Sequence, residues 1–326
     1  MNIAILGAGA WGTALAASWS SVHSVKLWTR ARVDAEALAR SRESRYLPGV
    51  RVPESVTVAT ELEAALAGAE LVLIATSTEG LRDTAVRVHA IDSAPAIAWA
   101  CKGFEKATAL LPHQVVAEAL PAARHAGVIS GPSFAMEVAR GQPTAVVFAS
   151  RDAQFAHAMS ASLNSARLRI YSSNDLTGVE LGGTLKNVVA IAAGICDGLS
   201  LGRNARAALV TRGLAEISRL GVAMGGRLET FNGLTGLGDL VLTCTGELSR
   251  NREVGVRLAQ GKSLDTILSD LGHVAEGVLS ARAAHDHARE RGVEMPITDA
   301  VCGVLFEGRP AMEAVQLLLT RDPRPE

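Results

Sequence analysis

The chain has 326 residues, 48% of them apolar, which exceeds what one core usually serves and predicts two domains. Its 32 Lys and Arg against 33 Asp and Glu give a formal net charge of -1, which excludes a general electrostatic attraction for nucleic acid or an anionic membrane. Cys101, Cys196, Cys244 and Cys302 are widely spaced with no CxxC pair, which argues against a zinc site or a disulfide framework and for reduced thiols. The opening segment Met1 to Val25 carries no Lys, Arg, Asp or Glu, yet it lacks the basic start of an export signal and is interrupted by three glycines. No stretch reads as the roughly 20 apolar residues that span a bilayer, so a cytoplasmic protein is expected, without stable membrane insertion.

To about Ser172, short apolar runs alternate with longer helical patterns, the rhythm of a Rossmann-type α/β domain with a parallel sheet covered by helices. Strands are expected at Asn2 to Leu6, Val25 to Trp28, Val56 to Val58, Glu70 to Ala75, Ala96 to Trp99, Gly127 to Ile129, Ala145 to Phe148 and Leu168 to Tyr171. Several are continuous apolar runs, as strands buried on both faces should be. Beyond Asn174 the pattern becomes helical, most clearly at Ala205 to Leu220 and Val278 to Arg291. The expected domains are therefore an NAD(P)-binding Rossmann domain at 1–173 and an all-α substrate and catalytic domain at 174–326. Helix breaks at Gly233 to Asp239 and Thr243 to Arg252 would present side chains to a ligand.

The first strand runs directly into Gly7-Ala8-Gly9-Ala10-Trp11-Gly12 and then a helical Thr13 to Trp19. A GxGxxG between strand and helix is the dinucleotide fingerprint. Gly7 permits the tight turn, Gly9 the approach of a pyrophosphate, and Gly12 close helix packing, while the helix N-terminus offers free N–H groups to the anion. After the second strand stands Trp28-Thr29-Arg30-Ala31-Arg32, without the carboxylate that usually accepts from the NAD ribose. Arg30 can pair with a 2′-phosphate instead, so NADP(H) is favoured and NAD(H) accepted.

Hydride exchange at a secondary alcohol needs a group that moves the hydroxyl proton. Lys186 sits in an otherwise apolar helical stretch, Val179 to Ile191, where burial would suit a lysine to act as a base; the adjacent Gly182-Gly183 would let a backbone or substrate come close. Lys102 follows the strand Ala96 to Trp99, at the sheet end where open α/β folds bind ligands, and would orient the substrate oxygen. Asp239, among glycines and apolar residues, is either a helix cap or a functional group. Ser249-Arg250-Asn251-Arg252, with Thr243 and Thr245 nearby, supplies hydroxyls, an amide and two guanidinium groups suited to a phosphate monoester.

Together these blocks resemble the bacterial NAD(P)-dependent glycerol-3-phosphate dehydrogenase family. The resemblance rests on residues 7 to 15, Leu47-Pro48, Trp99 with Lys102-Gly103, Ser130 to Ala135, Leu181 to Val188, Asn204 to Arg206, Thr211 to Leu214, Gly236 to Thr245, Ser249 to Arg252, Glu276-Gly277 and Glu294 to Ile297. It implies that Lys186 is the proton acceptor and that Lys102, Gly131, Ser133, Asp239, Ser249, Arg250 and Asn251 line the glycerol phosphate site. It implies cofactor contacts from Ala10, Trp11, Arg30, Lys102, Ala135, Arg250, Val274 and Glu276. Ala10 stands where the family often has Ser, and Cys101 where it often has Thr. The resemblance further implies a homodimer and a supply of glycerol 3-phosphate for phospholipid synthesis. The competing readings are a hydroxy-acid dehydrogenase of the same architecture, which must bind a carboxylate, and a silent NADP sensor, which the second-half Lys and Ser-Arg-Asn-Arg blocks oppose.

Overall fold

The computed structural model describes residues 1–91, 96–271 and 275–321. The chain divides into two compact units, Met1–Leu176 and Thr177–Glu326.

The first unit carries one eight-stranded sheet in the order β3-β2-β1-β4-β5-β6-β7-β8. Its strands are β1 (Asn2–Leu6), β2 (Ser24–Trp28), β3 (Val56–Ala59), β4 (Leu71–Ile74), β5 (Ala96–Trp99), β6 (His125–Ser130), β7 (Thr144–Ala149) and β8 (Leu168–Ser173). Helices α1 (Ala10–Trp19), α2 (Arg32–Ser41), α3 (Leu62–Leu66), α4 (Leu81–Ile91), α5 (Pro112–Ala119), α6 (Ala135–Ala139) and α7 (Ala153–Leu163) connect them. Every expected strand is present, and β1 and β4 are buried almost throughout, which is why their sequences do not alternate.

Strand direction departs from the expectation of a parallel sheet at one seam. β6 and β7 pair antiparallel, through Val128 with Ala149 and Ser130 with Val147, while β7 and β8 run parallel to each other. The connection 131–143 contains only the five-residue α6, which packs against α1 through Val138 and Ala14 instead of carrying the chain back along the sheet. A parallel return needs a crossover of a dozen or more residues, usually a full helix.

The second unit is built from α8 (Leu176–Gly198), α9 (Gly202–Ala223), α10 (Leu228–Phe231), α11 (Asp239–Thr245), α12 (Arg250–Ala259), α13 (Leu264–Leu271), α14 (Glu276–Glu290), α15 (Pro296–Phe306) and α16 (Ala311–Leu319). Among the described residues of this unit every element is helical. α8 is its axis. By length and composition it is apolar enough to cross a bilayer, although no stretch was expected to offer roughly 20 apolar residues, and its apolar window is buried inside the unit. A helix apolar all round belongs in a core. Its glycines set the packing: a Cβ at Gly194 would lie 1.9 Å from the Arg252 carbonyl oxygen, so α8 and α12 meet backbone to backbone. Around that crossing Val188, Ile191, Ile195, Val254, Ile267 and Val301 form one apolar cluster.

Candidate active site

The first unit concentrates its predicted residues at the carboxyl ends of parallel strands. Gly7 leaves β1 with φ +128°, which favours glycine, and its N–H donates to the Trp28 carbonyl at 2.8 Å. A side chain at Gly7 would lie 2.6 Å from the Ala75 carbonyl oxygen, and one at Gly12 would lie 2.0 Å from that of Gly7. At Gly9 a Cβ would meet nothing within 4 Å. The turn is thus closed on two sides and open on the third, over an α1 N-terminus that no side chain caps. That arrangement suits a dinucleotide pyrophosphate. Ala10 and Trp11, in the first turn of α1, pack with Ala135 and Met136 of α6, so the glycine turn and the segment after β6 are one structure.

Arg30 and Arg32, equivalent in sequence, separate in the fold. Arg32 pairs with Glu36 at 3.0 Å and Glu61 at 3.1 Å, whereas Arg30 is exposed and forms no ion pair among the described residues. Lys102 and Gly131 follow the neighbouring strands β5 and β6. Lys102 Nζ donates to the Gly131 carbonyl at 3.2 Å, and Ser133 Oγ donates to the same oxygen at 3.0 Å. Gly131 has φ +145°, and a Cβ there would lie 3.0 Å from Val146 Cα, so the turn after β6 needs a glycine to lie close to β7.

In the second unit Lys186 and Asp239 come together as a buried ion pair. Lys186 is 6% exposed and Asp239 1%, and Lys186 Nζ donates to Asp239 Oδ1 and, at 2.8 Å, to Thr243 Oγ1. Thr243 Oγ1 in turn donates to the Asp239 carbonyl at 2.6 Å. An ammonium taken out of water needs such a counter-charge and acceptors. The close approach expected at Gly182 is made by protein backbone, since a Cβ there would lie 2.6 Å from the Thr235 carbonyl oxygen. This contact brings the segment carrying Asp239 against α8. The expected break at Gly233 to Asp239 is instead a π-type turn, Leu234–Gly238, that runs straight into α11. Asp239 is therefore the first residue of a helix, not its cap, and its side chain faces Lys186.

The break expected at Thr243 to Arg252 is also shorter, because α11 continues to Thr245 and α12 begins at Arg250. Ser249 caps α12 by accepting from the Arg252 N–H at 3.3 Å. The two arginines are not equivalent: Arg252 pairs with Asp197, which also holds Arg206, while Arg250 is exposed with no ion pair among the described residues. Asn251 donates to Asn187 Oδ1 at 3.0 Å, and its own Oδ1 accepts from the Gly277 N–H at 3.0 Å, fastening the start of α12 to α8 and α14. Glu276 opens α14 beside that link. Val274 lies outside the described residues.

Two further residues join the cluster. Thr243 was legible only as one hydroxyl among several; its spacing of four from Asp239 on one helix puts both on one face. Asn187 follows the lysine directly, but its link to Asn251 needs the tertiary fold.

Comparison with known proteins covers both units of the chain. A family model for the N-terminus of NAD-dependent glycerol-3-phosphate dehydrogenase matches residues 2–156, and one for its C-terminus matches residues 175–316. The chain is 57% identical to a glycerol-3-phosphate dehydrogenase [NAD(P)+] of Thiobacillus denitrificans over 100% of both chains. It is 55% identical to that of Dechloromonas aromatica, over 100% of this chain and 99% of the relative. The solved glycerol-3-phosphate dehydrogenase of Coxiella burnetii superposes with a TM-score of 0.93 at 42% identity, covering 98% of this chain and 99% of that one.

Proposed function

The chain belongs to the NAD(P)-dependent glycerol-3-phosphate dehydrogenase family, and from that premise we propose that Lys186 is its proton-transfer residue, held in place by Asp239 and Thr243. The enzyme interconverts dihydroxyacetone phosphate and sn-glycerol 3-phosphate, and so supplies glycerol 3-phosphate for phospholipid synthesis. The observation that carries the reading is the buried Lys186 ammonium paired with the buried Asp239 carboxylate in the helical unit.

NADP(H), with NAD(H) as an alternative, supplies the hydride exchanged at C2 of the substrate. In reduction, Lys186 Nζ gives a proton to the C2 oxygen as negative charge develops there; in the reverse direction the neutral amine takes it back. Asp239 fixes the direction of the Nζ–H bonds and balances the ammonium, so the proton is held where the oxygen must sit. Lys102, Gly131, Ser133, Ser249, Arg250 and Asn251 hold the substrate, with Arg250 presenting a planar fork to the phosphate. Gly7, Gly9, Ala10, Trp11, Gly12, Arg30, Lys102, Ala135, Arg250, Val274 and Glu276 hold the cofactor. We place the functional domains at 1–173 and 174–326, and the working enzyme as a cytoplasmic homodimer.

Deuterated NADPH tests the reaction directly: deuterium should appear at C2 of glycerol 3-phosphate formed from dihydroxyacetone phosphate, and its recovery in solvent alone would contradict hydride transfer. Arg30 is expected to set cofactor preference, because it directly follows β2 and no carboxylate among the described residues engages it. Arg30→Asp should raise the Michaelis constant for NADPH by roughly 10- to 100-fold, the value of a charge-assisted contact, and leave that for NADH little changed. Equal changes for both cofactors would make Arg30 a surface residue.

A further inference from the structure

The helical unit contains a cavity of about 1040 Å³ that the proton-transfer cluster does not use. It lies between α8, α9, α15 and α16, and its walls include Ile195, Leu209, Ile297, Val301, Val315 and Leu318. Small-molecule sites fall in the range of about 300–1,000 Å³, mostly apolar with a few placed polar groups, so this space is as large as a ligand pocket becomes. Neither Lys186, Asp239 nor the Ser249 to Asn251 turn contributes to it.

The polar groups on its rim have distinct states. Arg219 donates to the Glu294 carbonyl at 3.0 Å, and Arg321 pairs with the Glu294 carboxylate at 3.4 Å, so these two cations are engaged. Glu216 turns its carboxylate onto the start of α15, accepting from the N–H groups of Ile297 at 2.7 Å and Thr298 at 3.2 Å. Burial pushes this carboxyl up to about 7 against the pull of those N–H groups, so near neutrality it carries only part of a negative charge. Arg212, one turn before Glu216 on the same face of α9, is exposed and has no hydrogen bond or ion pair among the described residues. The cavity therefore combines a largely apolar lining with one guanidinium that no described residue engages.

We propose that this cavity is a second ligand site, separate from the dehydrogenase site, that takes a single-chain anionic amphiphile with its alkyl chain along that lining and its carboxylate on Arg212. Arg is suited to this because its planar fork meets both carboxylate oxygens. The chain contributes by leaving water at about 0.8 kcal/mol per buried methylene, which makes affinity rise with chain length until the cavity is full.

The test is titration of the purified full-length protein with cis-parinarate below its micellar concentration, read by fluorescence, with dodecanoate and dodecanol as competitors. Saturable binding displaced by dodecanoate and far less by dodecanol is expected. Arg212→Ala should weaken probe binding by roughly 10- to 100-fold, the loss of a charge-assisted pair. Ala208→Trp, which puts an indole into the cavity from exposed positions of α9, should abolish it. Both variants should keep dehydrogenase turnover, which confirms that they fold. Absence of saturable binding, equal displacement by the alcohol, or an unchanged affinity in Arg212→Ala would overturn the proposal. So would a change of sedimentation coefficient in Ala208→Trp without loss of probe affinity, which would assign the face to a second copy of the chain.

Discussion

Lys186→Met is expected to lower kcat for dihydroxyacetone phosphate by roughly 10²- to 10⁴-fold, the range contributed by a positioned general acid or base. Methionine is close to lysine in size and lacks its titratable amine. The substitution also strips the buried Asp239 carboxylate of its cation, and breaking a buried pair from one side typically costs about 3–5 kcal/mol. A fall in Tm is therefore part of the expectation, and turnover alone would not separate chemistry from folding. The double variant Lys186→Met/Asp239→Asn removes the stranded charge and should recover much of the Tm while turnover stays low. NADPH binding, followed by fluorescence, should be nearly intact in both. If the double variant regained more than about a tenth of wild-type turnover, a loss smaller than general acid–base catalysis provides, the proton would be moved by another group.

Arg250→Ala is expected to lower kcat/KM for dihydroxyacetone phosphate by about 10²- to 10³-fold while hardly changing the already slow reaction of unphosphorylated dihydroxyacetone. Two charge-assisted hydrogen bonds at roughly 1.5–3 kcal/mol each, discounted for an exposed guanidinium, give that range. The phosphate is remote from C2, so its binding energy serves to position the reacting carbon as well as to hold the substrate, and kcat should fall along with affinity. Arg250→Lys keeps the charge without the planar fork and should recover only part of the loss. Arg252→Ala provides the contrast: its guanidinium is committed to Asp197, so that change should lower Tm without altering the preference for the phosphorylated ketone. Equal losses on both ketones in Arg250→Ala at saturating NADPH would remove the phosphate role and leave the residue to the cofactor or the fold alone.

The sequence carried the fold wherever one local pattern allowed one outcome. All eight strands were legible as apolar runs between turn residues, and the glycine turn was legible because a strand and a helix flank it. The direction of β7 was not, since an apolar run buried on both faces reads alike in either direction and the reversal follows from how α6 packs. Lys186 stood out as a charge in an apolar helix, but its pairing with Asp239 was hidden. Gly233 to Gly238 reads as a helix break, and only the backbone contact at Gly182 shows that the segment winds as a π-type turn against α8. The unequal fates of Arg250 and Arg252 were likewise beyond sequence, because they depend on which of two neighbouring side chains meets Asp197 on another helix.

A phosphorylated ketone, and not a keto acid, is the expected substrate of the reduction. The most direct measurement is NADPH oxidation by the wild-type enzyme with dihydroxyacetone phosphate, with β-keto acids, and with no ketone added. Rapid, saturable oxidation with dihydroxyacetone phosphate, yielding sn-glycerol 3-phosphate, and only background rates in the other two reactions is the result expected. Turnover on a keto acid with none on dihydroxyacetone phosphate would contradict it.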